Sequence, residues 1–198
     1  MRRSTSTIIW EIEKIKGSRF IAQVSPVRTA ADAGAVLSTI RAQHRSAGHH
    51  CFAYRLADGQ QRTSDDGEPR GSAGAPILSR IAHLELVDTL VVVSRYFGGV
   101  KLGVGGLIRA YGGAAAQALE QCSLEEVLPG MLVRLDFAYT DTAAVERCCN
   151  AVELEVLKEE FLTSVSRTIW VTASDRQRLK LALREACAGR VQWFEEPQ

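Results

Sequence analysis

The stretch Thr89–Gly106, TLVVVSRYFGGVKLGVGG, joins a strand signal directly to a glycine-rich turn. Its first eight residues, Thr89–Tyr96, are rich in β-branched side chains and predict a strand. Five glycines follow between positions 98 and 106, a density that is costly to order unless the backbone needs positive φ or close approach. The next segment, Leu107–Gln121, predicts a helix with almost no polar face, which indicates packing against a sheet. These signals predict a first domain of α/β or α+β class.

Upstream of this stretch, strand and helix signals follow one another. The pattern predicts strands Thr7–Ile15 and Ser18–Val24, helix Thr29–Ala47, strand His50–Arg55 and helix Ile77–Leu86. Residues 57–76 are rich in turn formers and are predicted to be a loop. A loop of this length inside a compact domain is more often functional than accidental.

The turn residues Leu128-Pro129-Gly130 predict a domain boundary, which gives domains 1–128 and 129–198. Beyond it, patterning and helix start signals at Asp141 and Asp175, both expected to be N-caps, predict six elements. These are strand Met131–Tyr139, a helix from Thr142, strands Glu153–Phe161 and Ser164–Ala173, helix Arg176–Ala188 and strand Arg190–Glu195. The order is βαββαβ, which is the ferredoxin-like pattern.

The amino-acid composition limits the classes of function that this chain can have. Hydrophobic residues make up 46% and charged residues 24% of 198 residues, as in ordinary globular proteins. The net charge of +1 excludes bulk electrostatic attraction to nucleic acid or anionic membrane, so any such site must be local. Five cysteines without a CxxC pair fit a reducing cytoplasm, and the longest aliphatic run, Leu90–Val93, is far too short to cross a bilayer.

The glycine-rich turn is the first candidate site. Free backbone N–H groups at a helix start, with Lys101 in the turn and Arg109 in the first helical turn, predict a cradle for phosphate or carboxylate. Neither standard nucleotide-binding glycine motif is present, so a purely structural turn is the alternative. The candidate anion- and nucleic-acid-binding residues are Arg19, Arg95, Tyr96, Gly98, Gly99, Lys101, Gly103, Gly105, Gly106 and Arg109.

The second candidate site combines an acidic loop with a His-His-Cys segment. Three carboxylates within four residues offer oxygen ligands for a hard cation, but the same residues are common turn formers. A Cys/His nucleophilic site needs an orienting carboxylate, which this loop supplies only if it folds back; a buried cysteine with two edge histidines is the alternative. The candidate ligand residues are His49, His50, Cys51, Ser64, Asp65, Asp66 and Glu68, with the metal unassigned.

Several of these segments resemble one protein family. The runs Gly74–Leu78 and Leu90–Gly103 look like the signature region of the IMPACT/YigZ family, and Lys16–Phe20, His49–Cys51 and Ser64–Pro69 look like its other motifs. The resemblance covers the whole chain and is more specific in the first domain. It implies an α+β protein with an N-terminal α/β sandwich similar to the second domain of ribosomal protein S5. The C-terminal ferredoxin-like domain is similar to the last domain of elongation factor G.

The resemblance implies an RNA- or ribosome-associated regulator of translation, because both similar domains work on the ribosome. We expect binding rather than turnover and no cofactor, since no nucleophile has an identifiable base and orienter. The near-neutral charge predicts modest affinity for RNA. A metal-dependent hydrolase or phosphotransferase, with Asp65, Asp66 and Glu68 holding a cation beside the turn, is the alternative function. A protein partner on the ferredoxin-like domain is a further alternative.

Overall fold

The computed structural model describes residues 1–127 and 130–195. The chain divides into two compact units, Met1–Val127 and Leu128–Gln198, and each has its own hydrophobic core. Two residues of the predicted boundary, Leu128 and Pro129, lie outside the described residues. None of the helices within the described ranges is both long and apolar enough to cross a membrane.

The first unit contains ten described elements. In chain order they are β1 (Arg2–Ser4), β2 (Ile8–Glu11), β3 (Arg19–Pro26), α1 (Ala30–Gln43), β4 (His49–Arg55), β5 (Gln61–Ser64), α2 (Gly74–His83), β6 (Thr89–Tyr96), α3 (Val104–Glu120) and β7 (Leu124–Glu126). Five strands form an antiparallel sheet in the order β2-β3-β6-β4-β5, while β1 pairs with β7. This agrees with the predicted α+β class.

Both faces of the five-stranded sheet are covered. Helices α2 and α3 pack on one face, where Val91 and Val93 of β6 belong to the larger core. Helix α1 covers the other face, where Leu90 and Val92 of the same strand belong to a separate core. Because successive side chains of β6 enter two different cores, the strand carries a continuous apolar run instead of an alternation.

The structure corrects the predicted elements in several places. Strand β5 lies inside the predicted loop, and β1 and β7 were not predicted. Helix α2 begins at Gly74 and not at Ile77, with Pro76 in its first turn, where its missing N–H costs no hydrogen bond. Helix α3 begins at Val104 and not at Leu107, because Gly105 and Gly106 form its first turn.

The second unit has the predicted ferredoxin-like topology. Its elements are β8 (Gly130–Phe137), α4 (Thr142–Cys149), β9 (Leu154–Phe161), β10 (Val165–Thr172), α5 (Arg176–Ala186) and β11 (Gln192–Glu195). The sheet order is β11-β8-β10-β9, with every pair antiparallel. Its core joins apolar residues of α4 and α5, such as Val145 and Leu179, to strand residues such as Leu135 and Ile169.

The predicted capping bonds of this unit are wrong. Asp141 and Asp175 occupy the N-cap positions of α4 and α5, yet neither side chain makes a cap hydrogen bond. The Asp141 carboxylate accepts from the Arg190 guanidinium at 3.1 and 2.5 Å. The Asp175 carboxylate accepts from the backbone N–H of Glu153 at 3.1 Å. Tertiary partners therefore replace the local bonds that sequence spacing suggested.

Candidate functional site

The acidic loop folds back over the end of β4. Strand β5 ends at Ser64, which pairs with Phe52, so no strand of residues 1–127 or 130–195 pairs with that side of β4 beyond this point. The Asp66 carboxylate accepts there from the backbone N–H of His50 at 2.6 Å and from Arg41 at 2.8 Å. The carboxylate of Asp66 thus substitutes for the backbone of a longer β5, while its own backbone has φ 40°.

The Asp65 carboxylate binds backbone N–H groups at the start of α2. Its carboxylate accepts from the backbone N–H groups of Gly71 at 2.7 Å, Ala73 at 2.9 Å and Gly74 at 2.8 Å. Burial acts to raise the pKa of Asp65, but these three hydrogen bonds outweigh it and hold the pKa below its ordinary value. The ionised carboxylate therefore satisfies N–H groups at the N-terminus of the helix.

Glu68 and Arg95 form a buried ion pair. The Arg95 guanidinium donates to Oε1 of Glu68 at 2.6 Å, and the two side chains are 6% and 5% exposed. The Tyr111 hydroxyl donates to the same oxygen at 2.8 Å, and Nε2 of His49 lies 3.9 Å from it. Arg95 also lies over the rings of Phe20 and Phe97, each 5.6 Å from the ring centroid. The pair joins the acidic loop to the end of β6.

The His-His-Cys segment is held by internal bonds. Nδ1 of His49 lies 2.8 Å from the backbone oxygen of Asp66, and Nδ1 of His50 lies 2.9 Å from Oγ of Ser94. Burial lowers the pKa of His50 and raises the pKa of the Cys51 thiol to about 12. The thiol donates to the backbone oxygen of Asp65 at 3.0 Å. A thiol in this environment stays protonated near neutrality, so the geometry does not support the nucleophilic role considered for it.

Gly98 packs against the β2–β3 turn. A Cβ placed on it would lie 1.9 Å from the carbonyl carbon of Gly17 and 2.2 Å from the backbone nitrogen of Ser18. Its N–H donates to Oγ of Ser18 at 3.2 Å, an oxygen that also lies 3.4 Å from the Arg95 guanidinium. The N–H group of Gly98 is therefore used internally instead of being free for an anion.

Of the remaining predicted anion-binding residues, some are bonded to internal partners and others are exposed to solvent. Arg19 donates to both carboxylate oxygens of Glu11 at 2.8 and 2.9 Å and lies 5.1 Å over the Tyr96 ring. The Tyr96 hydroxyl lies 2.8 Å from Nδ1 of His44. The exposed members, all at the turn or the start of α3, are Gly99, Lys101, Gly103, Gly105 and Arg109, and Gly106 is half-buried.

A cavity of about 340 Å³ lies between the acidic loop and the glycine-rich turn. Charged side chains in its wall are Glu68, Arg95 and Lys101. Its other lining residues are Pro69, Phe97, Leu102, Gly103, Val104 and Leu107. Folding thus brings one member of the acidic loop to the glycine turn, while Asp65 and Asp66 bind other partners.

The three loop carboxylates do not form a metal site. Asp65 faces the amides of α2, Asp66 faces β4 and Arg41, and Glu68 faces Arg95. Within residues 1–127 and 130–195 there is no group of three or more His, Cys, Asp or Glu side chains that could hold a metal ion.

Several residues of this region were missed by sequence reasoning. They are Ser18, Arg41, Pro69, Leu102 and Tyr111. The sequence could have indicated Tyr111, because it lies on a helix predicted to be almost wholly buried. A buried tyrosine hydroxyl needs a hydrogen-bond partner. Arg41 gave none, because its contact depends on how the loop crosses the sheet.

Comparisons with known proteins agree with this two-part description. The family model described as "Impact N-terminal domain" matches residues 16–119, and "Domain of unknown function (DUF1949)" matches residues 135–190. An "IMPACT family member" of Haemophilus influenzae is 35% identical over 190 residues, covering 94% of this chain and 92% of that protein. "IMPACT family member YigZ" of Escherichia coli is 32% identical over 185 residues, covering 91% of each chain. A crystal structure of a hypothetical protein is 28% identical with a TM-score of 0.70, covering 100% of this chain and 97% of that one.

Proposed function

The chain belongs to the IMPACT family, and from that premise we propose that it is a regulator of translation that binds RNA on or near the ribosome through the glycine-rich turn. The proposal assigns a binding role to the surface formed by Phe97, Lys101 and Arg109 around the first turn of α3. The role in translation is inferred from the similarity to domains of ribosomal protein S5 and elongation factor G that the family resemblance implies.

The observation that carries the proposal is the state of the charges at this turn. Lys101 and Arg109 are exposed, and neither has an ion-pair partner within the described ranges. Exposed cations that are not already paired can each neutralise a phosphate without first losing an internal partner. Arg19 and Arg95, in contrast, are paired with Glu11 and Glu68.

Two further features support RNA as the ligand. The Phe97 side chain is 59% exposed beside the turn, and exposed aromatic rings stack on unpaired bases. Helix α3 has Gly103 as its N-cap and no side-chain cap, so a phosphate can approach the first N–H groups of a 17-residue helix. Because the turn offers two exposed cations that are unpaired within the described ranges, we expect modest affinity.

The experiment is co-sedimentation with ribosomes, together with filter binding of single-stranded RNA across a salt series. We expect Lys101→Glu/Arg109→Glu to weaken binding about tenfold at low salt and to reduce the slope of log K against log salt by about 1.5. Arg45→Glu is the matched control, because Arg45 is an exposed arginine of the same unit at a distance along the chain from the turn. Co-sedimentation of the double variant at the wild-type level would contradict the proposal.

A further inference from the structure

The lining of the cavity between the acidic loop and the glycine-rich turn combines a buried carboxylate with groups that attract anions. The carboxylate is that of Glu68, whose side chain is 5% exposed and whose two internal hydrogen bonds both end on Oε1. No donor to Oε2 is found within residues 1–127 and 130–195. A carboxylate oxygen in a cavity wall is an acceptor for a ligand hydroxyl or amine.

A second buried group of the same wall has unused hydrogen-bonding capacity. The Arg95 side chain is 6% exposed, and its Nε is buried without a hydrogen-bond partner in the described part of the chain. Buried polar atoms are rarely left unpaired in folded proteins, so an unpaired donor in a cavity wall needs a separate explanation. The Arg95 guanidinium in this wall is therefore incompletely hydrogen-bonded by the described part of the protein.

Other lining residues of the cavity favour an anion. Lys101 lines it together with Gly103 and Val104, the N-cap and first residue of α3. A lysine ammonium and the positive end of a helix dipole both attract negative charge. The Phe97 ring and two leucine side chains complete the wall with apolar surface.

From this arrangement we infer that the cavity binds a ribonucleotide that carries a phosphate and a free 2′,3′-diol. The diol donates to Glu68, the phosphate lies at Lys101 and the start of α3, and the base packs on Phe97. A carboxylate is a standard partner for ribose hydroxyls, and about 340 Å³ falls within the usual size of a small-molecule site. The inference rests on the proposed function, because one source of such a group is the 3′ end of an RNA; the other is a free nucleotide.

The test uses fluorescence anisotropy of a 5′-labelled ten-nucleotide RNA in two forms. One form ends in the natural 2′,3′-diol and the other in a 2′,3′-dideoxy nucleotide, so that charge and length are the same. We expect the diol form to bind at least tenfold more tightly. Equal affinities would overturn the inference and leave RNA binding by the turn intact, whereas loss of binding to every probe would overturn both.

A matched pair of variants locates the effect. Val104→Trp fills the cavity mouth from a side chain that is 52% exposed, and Ile108→Trp adds the same ring one turn further along α3, where the side chain is 42% exposed. We expect Val104→Trp to abolish the preference for the diol and Ile108→Trp to keep it, with circular dichroism unchanged in both. A preference that survives Val104→Trp would place the diol elsewhere and overturn the assignment to this cavity.

Competition by adenosine monophosphate separates the two sources. Displacement of the diol RNA at millimolar or lower concentration assigns the cavity to free ribonucleotides as well as RNA ends. A diol preference without such competition assigns it to the RNA 3′ end.

Discussion

The acidic loop and the glycine-rich turn look alike in sequence, since both contain glycines and charged residues, but they use their polar groups in opposite ways. In the loop, Asp65, Asp66 and Glu68 each bind an internal partner. At the turn, Lys101 and Arg109 are exposed and have no ion pair in the described ranges. The difference shows that a density of charge does not identify a binding site. The surface proposed to bind RNA is instead the one whose charges have no internal partner in the described ranges.

The largest expected effect concerns the part of the glycine-rich turn that packs against the β2–β3 turn. Gly98→Ala places a Cβ 1.9 Å from the Gly17 carbonyl carbon, and backbone atoms cannot move aside as a flexible side chain can. We expect a loss of about 3 kcal/mol or more in the free energy of unfolding, measured by urea denaturation. Gly113→Ala is the control, since no atom lies within 4 Å of its added Cβ and the helix should gain about 0.5–1 kcal/mol. Equal stabilities would show that the turn is not packed as described.

A smaller loss of stability is expected from a substitution in the acidic loop. Asp65→Asn removes the charge from an acceptor of three backbone N–H groups, and we expect a loss of about 2 kcal/mol at pH 7. Because the pKa of Asp65 is depressed in the folded state, its contribution is present above the unfolded value of about 3.9 and is lost as pH falls through the folded pKa. Denaturation series from pH 7 to pH 2.5 should therefore converge for the variant and the wild type. A gap that does not narrow as pH falls below about 3.9 would contradict this account.

A pH effect of at most about 1.4 kcal/mol per pH unit is expected from His50. Burial lowers its pKa in the folded protein, so stability is complete above the unfolded value of about 6.5 and falls as pH drops toward the folded pKa. His50→Gln should flatten the change in unfolding free energy between pH 7 and pH 5. His83→Gln, at an exposed position, should leave the wild-type slope.

The smallest effect on stability is expected where the effect on binding is largest. Lys101→Glu changes an exposed side chain, so the free energy of unfolding should stay within about 0.5 kcal/mol of the wild type. Urea denaturation of this variant measures the effect on stability, and the RNA-binding assay on the same variant measures the effect on binding. A destabilisation above 1 kcal/mol would mean that Lys101 has a structural role.

The second unit was predicted element by element, because its strands alternate and its helices have clear apolar faces. In the first unit the short strands β1, β5 and β7 were missed. Their side chains are mostly polar and exposed. Strands β1 and β7 form only by pairing with each other across most of the unit, as Arg3 pairs with Glu125, whereas β5 pairs with the neighbouring strand β4. Local periodicity carries no signal for such strands.

For the candidate site, the sequence identified the segments and not the partners. It indicated that the acidic loop matters only if it folds back, and the structure brings Glu68 to the glycine turn. It did not indicate that Asp65 would bind the start of α2, because that helix was expected to begin three residues later. Nor did it separate Arg95, which is buried, from Lys101, which is exposed, since burial is set by the register between β4 and β6.

The position of Asp66 also bears on aggregation. Where β5 ends, β4 becomes the outermost strand, and an outermost strand with free backbone groups invites pairing with another chain. The Asp66 carboxylate occupies the N–H of His50 at that point and adds a negative charge to it. An incoming strand would have to displace this hydrogen bond and bury the Asp66 carboxylate. The acidic loop that lines the cavity therefore also disfavours edge-to-edge association of the sheet with another chain.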